Sequence, residues 1–169
     1  MLAFGQSTST PSDTRHKNIY LELRGIHQSY GINFDIRFKK GQKDGLGLRL
    51  GLGKAEVMSF LYPSVIESDM FTLPIELNYI IGKGKSSLLA GFGVLSVWGS
   101  VPRNDQHVWF QEFAQDRFGL LAGFLNFGYR FQPKKDKGLM FQLNWNPMFV
   151  KEVGLTHGMV GVGVGISLK

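Results

Sequence analysis

The sequence predicts an all-β protein, a closed antiparallel up-and-down barrel of eight strands, and three observations lead to this fold class. Eight segments alternate apolar and polar residues, as strands with two different faces do. No segment shows convincing helical periodicity, and the connections alternate between short turns and longer loops. With 169 residues the chain is long enough for one domain of this kind.

The segment at residues 71–81 shows the alternation most clearly. Its apolar face carries Phe71, Leu73, Ile75, Leu77 and Tyr79, and its polar face carries Thr72, Pro74, Glu76 and Asn78. Most segments run about nine to twelve residues, the length that a tilted strand needs to cross a bilayer. The other segments cover residues 19–27, 30–38, 46–53, 87–98, 119–131, 139–150 and 158–169.

The boundary of the domain is predicted at residue 18. Residues 1–17 are rich in Ser, Thr, Pro and Asp and have no periodicity, so we expect a disordered leader before a barrel domain at residues 18–169. The first five residues, "MLAFG", fit two interpretations, the remnant of a secretory signal peptide and an ordinary N-terminus.

Composition excludes several classes of protein. No apolar run approaches the length of about 18 residues that a transmembrane helix needs. The absence of cysteine excludes disulfides, thiol catalysis and cysteine metal sites. The net charge of +6 permits an anionic partner, but no basic patch interleaved with aromatic residues is present, so we do not expect binding to nucleic acid.

Two observations favour a transmembrane barrel whose apolar faces point outward. Eight of the twelve lysines lie in three short turns, and the polar strand positions hold Arg, Asp, Glu and Asn, which can satisfy one another in an enclosed lumen. In the last segment Gly161, Gly163 and Gly165 oppose an aliphatic face and leave room for large inward side chains. We predict a polar network in the lumen formed by Glu22, Arg24, Asp35, Arg37, Arg49, Glu76 and Arg130.

The order of these segments resembles a known group of proteins. The stretches "GLGLRLGLG", "LPIELNYIIGKGKSSLLAGFGV", "NFGYRFQPKKDKGLMFQLNWNPMF" and "GVGVGISLK" are similar to those of small Bacteroidota-type outer-membrane β-barrels. The plan also resembles OmpA/OmpX-type eight-stranded barrels. The resemblance covers residues 18–169 and implies a fold and a location in the bacterial outer membrane, with outer-membrane lipid as the surroundings.

The sequence carries no recognisable cofactor or metal motif. Neither "GKGKSS" nor "GLGLRLGLG" stands in the strand–turn–helix context that nucleotide binding needs, so we expect no cofactor. No pair of histidines has metal-ligand spacing, and we assign no metal ligand and no catalytic residue. His27, Ser29 and His157 would all lie at the long-loop end, which leaves open a lipid-modifying hydrolase at the rim.

We therefore expect a non-enzymatic barrel with a plugged lumen and a structural or interaction role. The long loop at residues 99–118 is the candidate contact surface, with lipopolysaccharide or a protein as the partner, and the alternative is that its aromatic residues pack back on the barrel rim. Its aromatic residues are Trp109, Phe110, Phe113 and Phe118. A soluble lipocalin-like barrel that binds an apolar ligand, with its leucine faces inward, is the main alternative.

Overall fold

The computed structural model describes residues 14–55, 69–100, 119–132, 137–150 and 154–168. The alternating segments form eight strands, and Gly25–His27 form a 3₁₀ turn, the inner turn. Across the described residues no helix is long and apolar enough to span a membrane. The strands are β1 (Lys17–Arg24), β2 (Tyr30–Arg37), β3 (Gly45–Ala55), β4 (Asp69–Ile81), β5 (Ser86–Ser100), β6 (Gly119–Phe131), β7 (Gly138–Val150) and β8 (Gly154–Leu168).

The strands close into a barrel in their order along the chain. Every neighbouring pair is antiparallel, and β1 closes the barrel by pairing with β8, where Tyr20 lies opposite Gly165. Closure satisfies the backbone hydrogen-bonding groups that an open sheet would expose at its edges, which spanning a bilayer requires. The prediction of a closed antiparallel eight-stranded barrel is confirmed.

The two faces of β4 decide which side of the barrel is polar. Thr72, Glu76 and Asn78 are each at most 1% exposed and point into the lumen. On the other face Ile75 is 39% exposed and Tyr79 is 52% exposed. The same pattern holds on β8, where the valines and Ile166 are exposed. The apolar rows therefore face outward, and the alternative of a soluble barrel with an apolar interior is wrong.

The start of the barrel differs from the prediction in two places. The prediction places residues 1–17 in the leader, but Lys17 opens β1 and the His16 carbonyl accepts a hydrogen bond from the Arg37 amide. At its other end β1 stops at Arg24 instead of running to residue 27, because the chain turns inward there. Arg24 and Gln28, on either side of the inner turn, have φ values of 60° and 67°.

The inner turn fills the end of the lumen near the long loops. Ile26 packs at the centre of an apolar cluster with Leu95, Val97, Ala122, Phe124 and Met148. Nearby, the pairing of β7 with β8 shifts register between Asn146 and Met148, so Pro147 lies at a bulge, where a residue without an N–H is tolerated. One end of the lumen is thus packed like an ordinary protein core.

Candidate functional site: the filled lumen

The lumen brings together six of the seven charged residues that the sequence singled out. Each of the six is 0% exposed and comes from an inward position of its strand: Glu22, Asp35, Arg37, Arg49, Glu76 and Arg130. Arg24 does not join them. The alternation along β1 points to an inward side chain at this position, but the chain turns at Arg24 and its side chain is exposed.

Asp35 on β2 is the centre of the half of the network nearest the short turns. Its carboxylate accepts hydrogen bonds from Arg37 at 2.7 and 2.8 Å and from Arg130 at 3.1 and 3.3 Å. The side-chain amide of Asn78 donates another at 3.1 Å. Asp35 therefore links β2, β4 and β6 across the lumen, and two guanidinium groups depend on its one negative charge.

Arg49 on β3 is the centre of the other half. Its Nη2 lies 2.9 Å from Glu76 Oε2, in an ion pair without hydrogen-bond geometry, and its Nη1 lies 3.6 Å from Glu22 Oε2. The Asn126 amide also donates to both oxygens of Glu76 at 3.0 Å. The guanidinium stands 6.0 Å from the centre of the Phe124 ring, where the network meets the apolar cluster.

The charges of this network balance. Three carboxylates, those of Glu22, Asp35 and Glu76, face three guanidinium groups, and all six side chains are buried. With Arg24 among them the group would carry an excess positive charge, and a buried charge without a partner is costly. The exclusion of Arg24 therefore gives the lumen a neutral core.

Neutral polar side chains complete the network. The amides lie at polar strand positions, as the sequence predicts, whereas Tyr20 was not predicted. The Asn144 amide donates to Glu22 at 3.0 Å, and Gln142 donates to Asn144 at 2.8 Å. Tyr20 is 1% exposed, and its hydroxyl accepts from Arg49 at 3.3 Å. The alternation itself carried the signal for Tyr20, because it lies two residues before Glu22 and so shares its face.

His27 of the inner turn extends the network towards the long-loop end. Its Nδ1 lies 2.8 Å from the Thr72 hydroxyl, and its Nε2 lies 3.2 Å from Asn33 Oδ1. The Asn33 amide group uses its N–H to donate to Glu22 at 3.0 Å, so its oxygen is the acceptor for His27. This places the proton on Nε2 and leaves Nδ1 to accept from Thr72, as in a neutral imidazole.

Burial lowers the pKa of His27 from its ordinary value of about 6.5, because the charged form loses its hydration. The Glu22 carboxylate acts in the opposite direction, and the Arg49 guanidinium reinforces the effect of burial. The neutral ring is therefore the form that fits this position.

The imidazole ring lies in a slot that glycines on β2 and β3 leave open. A Cβ atom at Gly31 or Gly53 would overlap the ring, and one at Gly51 would stand 2.9 Å from Cε1 of His27. The sequence predicts that inward glycines make space for Arg and Glu. That holds at Gly47, where a Cβ would overlap the Arg37 guanidinium, and at Gly91, where it would stand 2.6 Å from Glu76 Oε1, whereas Gly31 and Gly53 make space for His27.

The residues of the hydrolase alternative do not assemble around Ser29. Both ring nitrogens of His27 are occupied by Thr72 and Asn33, and the ring is fully buried. His157 is exposed on β8, where its carbonyl accepts a hydrogen bond from the Trp145 indole at 2.7 Å. Among the described residues no group of three or more His, Asp or Glu side chains could hold a metal ion. The aromatic residues of the long loop, Trp109, Phe110, Phe113 and Phe118, lie outside the described residues.

Comparisons with solved structures find the same fold elsewhere. The chain superposes on the crystal structure of the N-terminal β-barrel domain of Pseudomonas aeruginosa OprF with a TM-score of 0.56 and 13% identity, over 93% of this chain and 98% of that one. It also superposes on Neisserial surface protein A, NspA, with a TM-score of 0.53 and 10% identity, over 92% and 94% of the two chains. No protein-family model and no curated protein sequence matches the chain. Both structures are eight-stranded outer-membrane barrels, and this chain has their fold.

Proposed function

We propose that this eight-stranded outer-membrane barrel is a non-enzymatic protein with a plugged lumen, which acts as a structural or interaction module through its long loops. The short turns would face the periplasm and the long loops the cell exterior, as in other barrels of this architecture. The strands then serve as a rigid membrane anchor, and the loops are the part that meets a partner.

The observation that carries this proposal is the neutral ion-pair network across the lumen. Asp35 connects to Arg37 on its own strand and to Arg130 on β6, and Arg49 bridges Glu22 and Glu76. An eight-stranded barrel is just wide enough for side chains to fill. Side chains that are paired across so narrow a lumen would obstruct the passage of an ion or a substrate.

The inner turn supplies a second seal above the network. Ile26 and His27 are each 0% exposed, and Ile26 packs against residues of β5, β6 and β7. An ion entering from the long-loop end would therefore meet an apolar cluster before it reached the charged layer. Two successive barriers of different chemistry favour a structural lumen over a transport path.

The exterior supports the membrane placement independently of the lumen. Large apolar side chains are exposed on every strand, among them Leu23, Ile32, Leu52, Phe92, Leu139 and Val160. A water-soluble protein rarely exposes contiguous apolar surface of this extent, whereas lipid hydrocarbon covers it without cost. The contact role of the loop at residues 99–118, with lipopolysaccharide or a protein as the partner, is part of the proposal.

Planar-bilayer recording tests the plug. The refolded protein should leave the conductance at background, because the ion pairs close the lumen. A barrel with Arg49→Ala and Glu76→Ala together should admit ions more readily, since both change large inward side chains to methyl groups. Reproducible single-channel steps from the unmodified protein would contradict a plugged lumen.

Loop exchange tests the interaction role separately. Replacing residues 101–118 with a short Gly/Ser linker should remove binding to whole cells or to lipopolysaccharide while the barrel still folds. Heat-modifiable migration on a denaturing gel reports folding in the same samples. Equal binding by the loop-exchanged barrel would rule out this loop as the contact surface.

A further inference from the structure

The outer wall of the barrel has a concave region among its exposed apolar rows. A groove of about 260 Å³ lies across β3, β4, β5 and β6 and is bordered by Leu46, Leu77, Tyr79, Phe92 and Phe127. Its lining is almost wholly apolar, as expected for a surface that faces hydrocarbon.

A small residue forms the floor of this groove. The strand register places Leu46 opposite Tyr79, Tyr79 opposite Ala90, and Ala90 opposite Phe127. Ala90 is thus a methyl group between two aromatic rings on the neighbouring strands. Because adjacent strands are about 4.8 Å apart, the two strands that carry these rings are about 10 Å from each other, which leaves room for one extended acyl chain over Ala90.

The turn next to the groove is positively charged and contains no acidic residue. The turn that joins β4 to β5 is "GKGK", residues 82–85, and its Lys83 and Lys85 are exposed. The turn between β2 and β3 contains Asp44, and the connection between β6 and β7 contains Asp136. The two central strands of the groove are therefore joined by a turn that holds two lysines and no acidic residue.

The depth of the groove matches that of an acyl chain below a headgroup. Ala90 follows Lys85 by five residues along β5, a distance of about 17 Å along the strand. At a tilt of about 40° this is about 13 Å along the membrane normal, within a hydrocarbon leaflet of about 15 Å. A phosphate at Lys83 and Lys85 would thus place its chain against Ala90.

We infer that this groove is a binding site for one anionic glycerophospholipid of the leaflet on the short-turn side, with its acyl chain over Ala90 and its phosphate at Lys83 and Lys85. The inference rests on the membrane placement and is independent of the plugged lumen and of the loops. One lipid would be retained at this site, unlike the lipids that cover the rest of the wall.

Native mass spectrometry of the full chain tests the site. The barrel is reconstituted in nanodiscs of phosphatidylglycerol and phosphatidylcholine in equal amounts, and the lipids that remain bound after release from the disc are counted. One phosphatidylglycerol molecule should remain in preference to phosphatidylcholine by at least fivefold, since each lysine near an anionic surface contributes about a fivefold gain.

Two variants test the contributions of the groove and of the two lysines to lipid retention separately. Ala90→Leu fills the floor and should lower retention of either lipid at least fivefold. The double variant Lys83→Gln with Lys85→Gln leaves the groove intact and should bring the ratio of the two retained lipids close to one. Both changes are on the outer surface, and the double variant lies in a turn, where substitutions disturb the barrel least.

Matched controls carry the same chemical changes on the far side of the barrel. Val164→Leu enlarges an outward side chain on β8, and Lys17→Gln with Lys137→Gln removes two exposed lysines from the same rim. Neither should alter lipid retention, and heat-modifiable migration shows that every variant is folded. Equal retention by Ala90→Leu and Val164→Leu would overturn the inference. So would a dimer that Ala90→Leu dissociates without loss of phosphatidylglycerol, because a second copy would then occupy the groove.

Discussion

The two ends of the lumen are filled in different ways. Near the short turns, side chains from the strands themselves meet in a network around Asp35, and every charged member has a fixed partner. Near the long loops, the chain leaves β1 and folds inward, so that Ile26 and His27 fill the space. The short-turn end depends on charge pairing and the long-loop end on close packing. Each end should therefore respond to a different kind of substitution.

The largest effect is expected at Asp35. Asp35→Ala removes the carboxylate that Arg37 and Arg130 share and leaves two buried guanidinium groups without it. Breaking a buried ion pair in this way costs about 3–5 kcal/mol. The free energy of unfolding, measured by denaturant titration in lipid vesicles, should fall by that amount.

Asp44→Ala is the matched control, because Asp44 lies in the turn between β2 and β3 and a surface change of this kind stays within about 0.5 kcal/mol. Equal losses from Asp35→Ala and Asp44→Ala would mean that the network does not hold the lumen together.

The long-loop end, which depends on close packing, should lose stability when a single methyl group is added. Gly53→Ala places a Cβ against the His27 ring and the Tyr30 carbonyl, and overpacking of this kind costs about 1–3 kcal/mol. Gly123→Ala is the control, because there the nearest atom to an added Cβ is 3.9 Å away. If unfolding measurements show no difference between these two variants, the slot for His27 is not tightly packed.

The stability of the long-loop end should depend on pH. Because burial lowers the pKa of His27, the unfolded chain takes up a proton at a higher pH than the folded barrel does. The contribution of His27 is therefore complete above about pH 6.5 and is lost as the pH falls below it, with a slope of at most about 1.4 kcal/mol per pH unit.

His27→Gln, which keeps polar groups but cannot titrate, should flatten this dependence between pH 7.5 and pH 5. The difference between the two proteins isolates His27 from the three other histidines, His16, His107 and His157, which are present in both. An unchanged pH profile in His27→Gln would show that the ring is not the titrating group.

The smallest effect is expected at Arg24. Its side chain is exposed and lies outside the network, so Arg24→Ala should change the free energy of unfolding by less than about 0.5 kcal/mol. Arg24→Gly should stabilise the barrel by about 1 kcal/mol, because the φ of 60° at this position favours glycine. If Arg24→Ala lowered the free energy of unfolding by several kcal/mol, Arg24 would belong to the network.

These contrasts show which parts of the structure the sequence was sufficient to predict. On β4, the alternation of Thr72 and Glu76 with Ile75 and Tyr79 predicted both the strand and its polar inner face, because side chains on a strand alternate without exception while it stays regular. The same rule failed at Arg24, where a backbone turn breaks the alternation. Nothing in "RGIHQS" shows that the chain folds into the barrel, since most partners of Ile26 and His27 lie on β4 to β7, far along the chain.

The prediction of Bacteroidota-type origin and that of the loop contact surface stay predictions. The lumen network was predicted from residue types, but its neutrality depends on which arginine lies outside, and that follows from the turn at Arg24. Pairing across the lumen also depends on strand register, which no local pattern specifies.

The central claim is that the apolar rows face lipid while the polar rows meet inside, and cysteine labelling tests it most directly because the chain has no cysteine of its own. In Ile75→Cys a fluorophore attached before refolding should be quenched by brominated lipids. In Thr72→Cys, only three residues away, the thiol should stay unmodified by a water-soluble maleimide in the folded barrel. A fluorophore at residue 75 that lipid does not quench, together with a reactive thiol at residue 72, would contradict this arrangement.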